Sequence, residues 1–197
     1  MPDPHLTWLL LLADNYEKTQ QRLAEMFGPR EADLFMLIAV WAPVIENAGY
    51  FEPHPNPAHA GKRDWRWIIA ARMGVADYSP RAFDVRNALY GRDVYDLVAC
   101  TPDLSRVTGR LLGLIDVLGY PFESDWADAP VRVHATPLGW LRARCRGIVP
   151  VGSEIAVQDW LRHCAPGLIG DSAAHCEALL MKMRRELPPL PKLFQAG

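Results

Sequence analysis

The apolar positions of this chain fall into long runs broken by short stretches marked with proline and glycine. Residues 4–27 are apolar nearly all round through Leu6–Ala13 and amphipathic afterwards, with Tyr16, Leu23, Met26 and Phe27 set against Glu17, Lys18, Gln21 and Arg22. Pro4 suits a first helical turn and Gly28-Pro29 stops one, so the pattern predicts a single helix. Glu31 and Asp33 favour the positive end of a second helix. That helix is expected to run through Leu34-Phe35-Met36-Leu37-Ile38 and Trp41 until Pro43 ends or kinks it, with Gly49 closing the segment. Two apolar helices across a Gly-Pro turn predict an antiparallel hairpin at the centre of the fold. Residues 51–63 hold three prolines and a glycine and read as a loop. Trp65–Gly91 reads as a short helix, a turn at Gly74-Val75 and a second helix entered through Ser79-Pro80. A further short helix is expected over Arg92–Cys100. Thr101 as N-cap and Pro102 at the first position then open a long one carrying Leu104, Val107, Leu111, Leu112, Leu114, Ile115 and Leu118 up to Gly119.

After the acidic, proline-bearing stretch Tyr120–Pro130 the texture changes. Val131–His134 alternates like a strand, and Thr136-Pro137 caps a short helix. Gly147–Gly152 reads as a buried strand, and Ser153 caps a helix to about His163. Gly167–Gly170 is a second short strand, and Asp171-Ser172 caps a last helix to about Leu187. Such a strand–helix alternation favours a parallel pair. The expected fold is therefore α+β and predominantly α-helical. It comprises an N-terminal helical bundle over 1–120, a linker at 121–130, a small βαβα unit over 131–187 and a loose Pro-rich tail at 188–197.

Composition adds little that is specific. The 197 residues are 50% hydrophobic and 22% charged, with a formal net charge of −2, so no global field draws the chain to nucleic acid or to an acidic membrane. The run Leu6–Ala13 lacks a basic flank, and Leu34–Ile45 is too short to span a bilayer, so neither a signal peptide nor a membrane partner is expected. Cys100, Cys145, Cys164 and Cys176 sit far apart and read as reduced thiols of a cytoplasmic protein.

Local charge is less even. The N-terminal stretch is acidic, whereas Lys62, Arg63, Arg66, Arg72, Arg81, Arg86 and Arg92 stand against Asp64, Asp77 and Asp84. Within this island, Ile-Ala-Ala-Arg-Met-Gly-Val at 69–75 resembles the first helix and turn of the helix-turn-helix DNA-binding class. The resemblance implies a non-catalytic DNA-associated protein, regulatory or from a mobile element. Arg81, Arg86 and Asn87 would then read bases, since arginine pairs with guanine and asparagine with adenine. Lys62, Arg63, Arg66, Arg72 and Arg92 would hold phosphates. The turn from Gly74 to Ser79 is longer than the compact form of the motif, and Pro80-Arg81 stand where a β-branched core residue is usual.

Other constellations carry simpler readings. His54 and His59 read as solvated loop histidines, and Trp65 and Trp67 as packing beneath the neighbouring cations, with base stacking as the alternative. Gly152-Ser153 reads as a helix cap, with anion binding as the alternative. The doublets His163-Cys164 and His175-Cys176 lack close metal-ligand spacing, and Asp171, Ser172 and His175 lack a nucleophile elbow. No cofactor, metal or catalytic residue is expected. Two functional alternatives stand beside DNA binding. One is an adaptor for a protein partner or a second copy, using the apolar surfaces of 34–45, 104–118 and the tail. The other is a small-ligand or nucleotide site in the α/β unit.

Overall fold

A computed structural model describes residues 2–72, 94–119, 130–153, 156–158 and 167–184. The first helix forms as the pattern requires. α1 spans Pro4–Phe27, with the Asp3 carboxylate accepting from the backbone N–H of His5 (2.9 Å) and Leu6 (3.2 Å). Its inward stripe is Trp8, Leu11, Asn15, Thr19 and Leu23, a three-to-four-residue spacing. Asn15 departs from helical geometry and bonds back to the Leu11 carbonyl (2.9 Å), which places a kink there. α2, Pro29–Phe35, is a short turn of helix packed against α1.

The predominantly helical reading fails immediately after α2. Five strands follow: β1 Ala39–Asn47, β2 Tyr50–Pro53, β3 Trp65–Arg72, β4 Val94–Cys100 and β5 Val107–Arg110. They close into a barrel in the order β1-β2-β5-β4-β3. All neighbours are antiparallel except β2 and β5, which meet in parallel at Tyr50 and Arg110. The central helical hairpin, the N-terminal bundle, the first helix of the helix-turn-helix, the short helix over 92–100 and the long helix over 101–119 are all overturned by these strands.

The physical reason lies in the two faces of each strand. Ala39, Trp67, Ile69, Val98 and Cys100 enter one apolar cluster, while Val40, Ala42, Ile68, Ala70, Leu97 and Ala99 enter another. α1 contributes Leu23 to the first and Trp8 and Leu11 to the second. A strand buried on both faces shows no alternation and reads as a continuous apolar run. Proline at 43 disfavours a helix interior, and the β-branched and aromatic residues Trp65, Trp67, Ile68 and Ile69 favour the extended state. The hairpin from β1 to β2 turns through Ala48 (φ 49°) and Gly49 (φ 86°), the left-handed pair that a tight two-residue turn demands. Thr101 does not cap a helix; it closes a turn with Asp103, Ser105 and Arg106. Among the described residues no helix is long and apolar enough to cross a membrane.

The C-terminal segment is built from small pieces. β6, Val117–Leu118, pairs antiparallel with β8, Val149–Pro150. β7, Val131–Val133, pairs in parallel with β9, Leu168–Gly170, and Val133 also bridges Ile148 in parallel. α3 spans Pro137–Arg142, with Thr136 Oγ1 accepting from Gly139 N (3.1 Å). α4 spans Ala173–Arg184, with Ser172 Oγ accepting from His175 N (3.2 Å). Ser153 Oγ likewise accepts from Ala156 N (3.3 Å) ahead of the helical residues 156–158. The linker expected at 121–130, apart from Pro130, and the tail at 188–197 lie outside the described residues.

One apolar cluster runs from the barrel into this segment. Trp140, Leu141, Cys145, Val149 and Val151 pack with Trp67, Ile69 and Val98. Leu138 N also donates to Leu104 O (3.0 Å), and the Asp116 carbonyl accepts from Val151 N (2.8 Å) and Gly152 N (2.9 Å). These ties set the outer wall of β5 opposite the ends of β7 and β9.

Candidate functional site between the barrel and the α/β unit

Two side chains follow directly from the ends of the parallel strands: His134 after β7 and Asp171 after β9. The carboxyl ends of parallel strands are where open α/β sheets place ligands, because helix starts and free loop backbone converge there. His134 is 3% exposed. Its Nε2 lies 2.8 Å from the Arg146 carbonyl, and its Nδ1 lies 2.9 Å from Asp171 Oδ1. The second contact is not a hydrogen bond, and Nδ1 has no hydrogen-bond partner among the described residues.

Asp171 organises the loop around it. Its Oδ2 accepts from Ala135 N (2.9 Å), and its own backbone N–H donates to His175 Nδ1 (3.1 Å). His175 therefore uses Nδ1 as an acceptor and, when neutral, carries its proton on Nε2. Burial pushes the His175 pKa below its ordinary value. The Asp171 charge works the other way, and the charges of His134 and Lys182 add to the lowering.

His134 and His175 border a hollow of about 460 Å³ whose remaining walls include Ala178, Leu179 and Met181. Beside it lies a cleft of about 420 Å³ between β5 and the segment Val149–Ser153. The two share Ala135, Pro150 and Lys182. The cleft brings together the cations Arg106, Arg110 and Lys182 with the hydroxyl residues Ser105, Thr108 and Ser153.

The three cations are not equivalent. Arg110 is committed to structure, with Nη1 donating to Ile115 O (2.8 Å) and lying 3.9 Å from Asp116. Arg106 and Lys182 form no ion pair within 4 Å among the described residues, although the Arg106 charge acts on Glu46 at longer range. β5 joins β2 only at Tyr50 and Arg110, which leaves the rest of that strand edge facing the cleft. Gly109 is needed at this seam, since a side chain there would press on the Tyr50 backbone (3.1 Å).

Of the expected DNA-contacting residues, the structure describes Lys62, Arg63, Arg66 and Arg72. Lys62 and Arg63 are exposed in a 3₁₀ turn before β3. Arg66 is held by Glu46, with Nη2 2.7 Å and Nε 2.9 Å from its carboxylate oxygens, and also donates to the carbonyls of Arg63 and Trp65. Arg72 ends β3 opposite Val94. Arg81, Arg86, Asn87 and Arg92 lie outside the described residues, as do His163 and Cys164. His54 Nδ1 accepts from Asn56 N (3.1 Å) within its own loop. Among the described residues no group of three or more His, Cys, Asp or Glu could hold a metal ion. Cys100 and Cys145 are buried, and burial pushes both thiols up, Cys145 well above the ordinary value.

Sequence reasoning missed Arg106 and Lys182, because it placed Arg106 on a helix that does not form. It noticed Asp171, Ser172 and His175 together, and the structure joins them by capping geometry: Ser172 caps His175 while Asp171 fixes its ring. Compared with family models, curated proteins and solved structures, the chain matches none.

Proposed function

We propose that the chain is a binding module for a small phosphate-bearing ligand of nucleotide size, held between β5 and the α/β unit. The observation that carries this reading is the pair Arg106 and Lys182, free of ion pairs among the described residues and facing one cleft with three hydroxyl residues. Cations without a carboxylate partner keep their full field for an incoming anion, and the hydroxyls add hydrogen bonds whose geometry selects the bound group. The joined hollow supplies apolar wall for the rest of the ligand. Both spaces fall in the size range typical of small-molecule sites.

DNA association through a helix-turn-helix is not carried forward, since β3 takes the place of its first helix. Of the surfaces the adaptor reading would use, 39–44 supplies barrel core, 104–118 buries Leu104, Leu111 and Leu118 while exposing Leu114, and the tail lies outside the described residues. A cytoplasmic setting belongs to the proposal, and the unbridged Cys100, Cys145 and Cys176 support it.

The test is calorimetric titration of the full chain with inorganic phosphate, nucleoside monophosphates and triphosphates, and the unphosphorylated nucleosides. Phosphate-bearing ligands are expected to bind and nucleosides not to. Lys182→Ala and Arg106→Ala should each weaken binding about tenfold, which is ~1.4 kcal/mol. Equal affinity for nucleoside and nucleotide, or indifference to both substitutions, defeats the proposal.

A further inference from the structure

A second groove lies on the opposite chemistry of the barrel surface, where indole rings rather than hydroxyls meet cations. The antiparallel register of β1 and β3 sets Trp41 opposite Trp67 and Pro43 opposite Trp65, so all three tryptophans share one face. Trp67 is sunk in the core with its Nε1–H donating to Pro102 O (3.0 Å). Trp41 and Trp65 remain half-buried and stack with centroids 5.9 Å apart and planes at 27°. They line a groove of about 490 Å³ between the barrel and α1. Lys18 and Arg22, one helical turn apart on α1, hang over it: Lys18 Nζ is 4.6 Å from the Trp65 ring centre, and Arg22 Cζ is 5.5 Å from that of Trp41. Lys62 lines the far side, and Glu25 is the carboxylate among the lining residues, 3.3 Å from Arg22.

We infer that this groove binds single-stranded nucleic acid, with a base stacked on the Trp41–Trp65 pair and phosphates held by Lys18 and Lys62. Three cations against one carboxylate make a positive patch on a chain whose net charge is −2, so the local charge is not background. Lys18 and Lys62 have no ion-pair partner within 4 Å among the described residues. In the free protein the ammonium of Lys18 covers the outer ring by a cation–π contact. At an exposed site such a contact is weaker than base–indole stacking, so a base displaces the ammonium, which moves to the adjoining phosphate. A duplex keeps its base faces inside the helix and offers only phosphate to this groove, which is why a single strand is preferred. The cleft of Arg106 and Lys182 shares no lining residue with it, so this inference stands apart from the proposal above.

The test is fluorescence anisotropy of a fluorescein-labelled oligothymidylate titrated with the full chain at several salt concentrations, beside a duplex of the same length. Binding at low salt is expected, with the association constant falling by about one and a half decades per decade of salt for two neutralised phosphates, and with weaker duplex binding. Lys18→Glu and Lys62→Glu, both at exposed side chains, should each weaken binding tenfold or more. Trp65→Leu should do the same while circular dichroism shows the fold retained, and Lys182→Ala should have no effect. Absence of binding at low salt, equal affinity for duplex, or loss with Lys182→Ala but not with Lys18→Glu overturns the inference. If Trp65→Leu unfolds the chain, the two lysine variants and the duplex comparison still decide.

Discussion

Asp96→Ala tests the argument that ties the barrel to the ligand cleft. Asp96 sits on β4 with no solvent exposure, and its carboxylate serves three backbone donors: Oδ1 accepts from Leu97 N (2.8 Å) and Leu112 N (2.9 Å), and Oδ2 from Leu114 N (2.8 Å). The loop it holds continues into Ile115, whose carbonyl receives Arg110, and into Asp116, whose carbonyl receives Val151 N and Gly152 N at the cleft wall. Hydrogen bonds to a charged group contribute roughly 1.5–3 kcal/mol each, so three would total about 4.5–9 kcal/mol taken naively. The cost of desolvating a buried carboxylate offsets part of this, and the loop relaxes toward water once freed. We expect Asp96→Ala to lose about 3–5 kcal/mol, a large share of the ~5–15 kcal/mol typical of a folded domain. Asp96→Asn keeps one oxygen for Leu97 and Leu112 but turns an NH₂ toward the Leu114 N–H, so its loss should be smaller, about 2 kcal/mol. Urea unfolding measures both, with the midpoint moving and the slope unchanged. Because the same loop braces Gly152, Asp96→Asn should also weaken the anionic ligand. A loss under ~1 kcal/mol for the alanine variant, or a larger loss for asparagine than for alanine, would refute the reasoning.

Three further outcomes follow from individual contacts. Burial pushes the Glu46 carboxyl up, but the hydrogen bonds and charge of Arg66, with the charge of Arg106, outweigh it and leave the pKa below its ordinary 4.5. Its contribution is therefore present above about pH 4.5 and lost as pH falls through the lower folded value, so Glu46→Gln should destabilise by about 1 kcal/mol at pH 7, with the difference fading on acid titration monitored by urea midpoint. His175, lowered below its ordinary 6.5, contributes stability that is present above that pH and lost on acidification. His175→Asn, whose Oδ1 can accept the Asp171 N–H in place of Nδ1, should flatten the pH dependence below about pH 6.5 in thermal melts, and an unchanged slope would count against the assignment. Gly147 has φ 84°, and a side chain there would run into the Arg132 carbonyl, so Gly147→Ala should cost about 2 kcal/mol or more by urea unfolding.

What could be read from the sequence depended on which surfaces meet water. Val131–Val133 shows a buried–exposed–buried pattern, one wet face and one dry, and its alternation gives a strand directly. β1, β3 and β4 are dry on both faces over most of their length, because alternate residues feed two separate clusters. Their inner stretches, Ala39–Val44, Trp67–Ala71 and Leu97–Cys100, are unbroken apolar runs, and periodicity does not separate such a run from a buried helix. Composition could have: Trp65, Trp67, Ile68 and Ile69 are strand formers, and Pro43 disfavours a helix interior. The helix-turn-helix resemblance of Ile69–Val75 points the other way, although a glycine after Ala-Ala-Arg-Met fits the end of a strand as well as the end of a helix. Caps were legible for a different reason. Thr136, Ser153 and Ser172 bond N–H groups three residues on, a local signal, whereas Thr101 spends the same hydroxyl chemistry on closing a turn before β5. The ligand cleft had no such local signature. Arg106 and Lys182 are distant in sequence and meet only because Leu138 docks on Leu104 and the Asp116 carbonyl holds Val151 and Gly152. A site assembled by packing between a barrel edge and a helix face becomes visible only when the fold is known. The same holds for Trp41 and Trp65, which neighbour each other through strand register rather than through the chain.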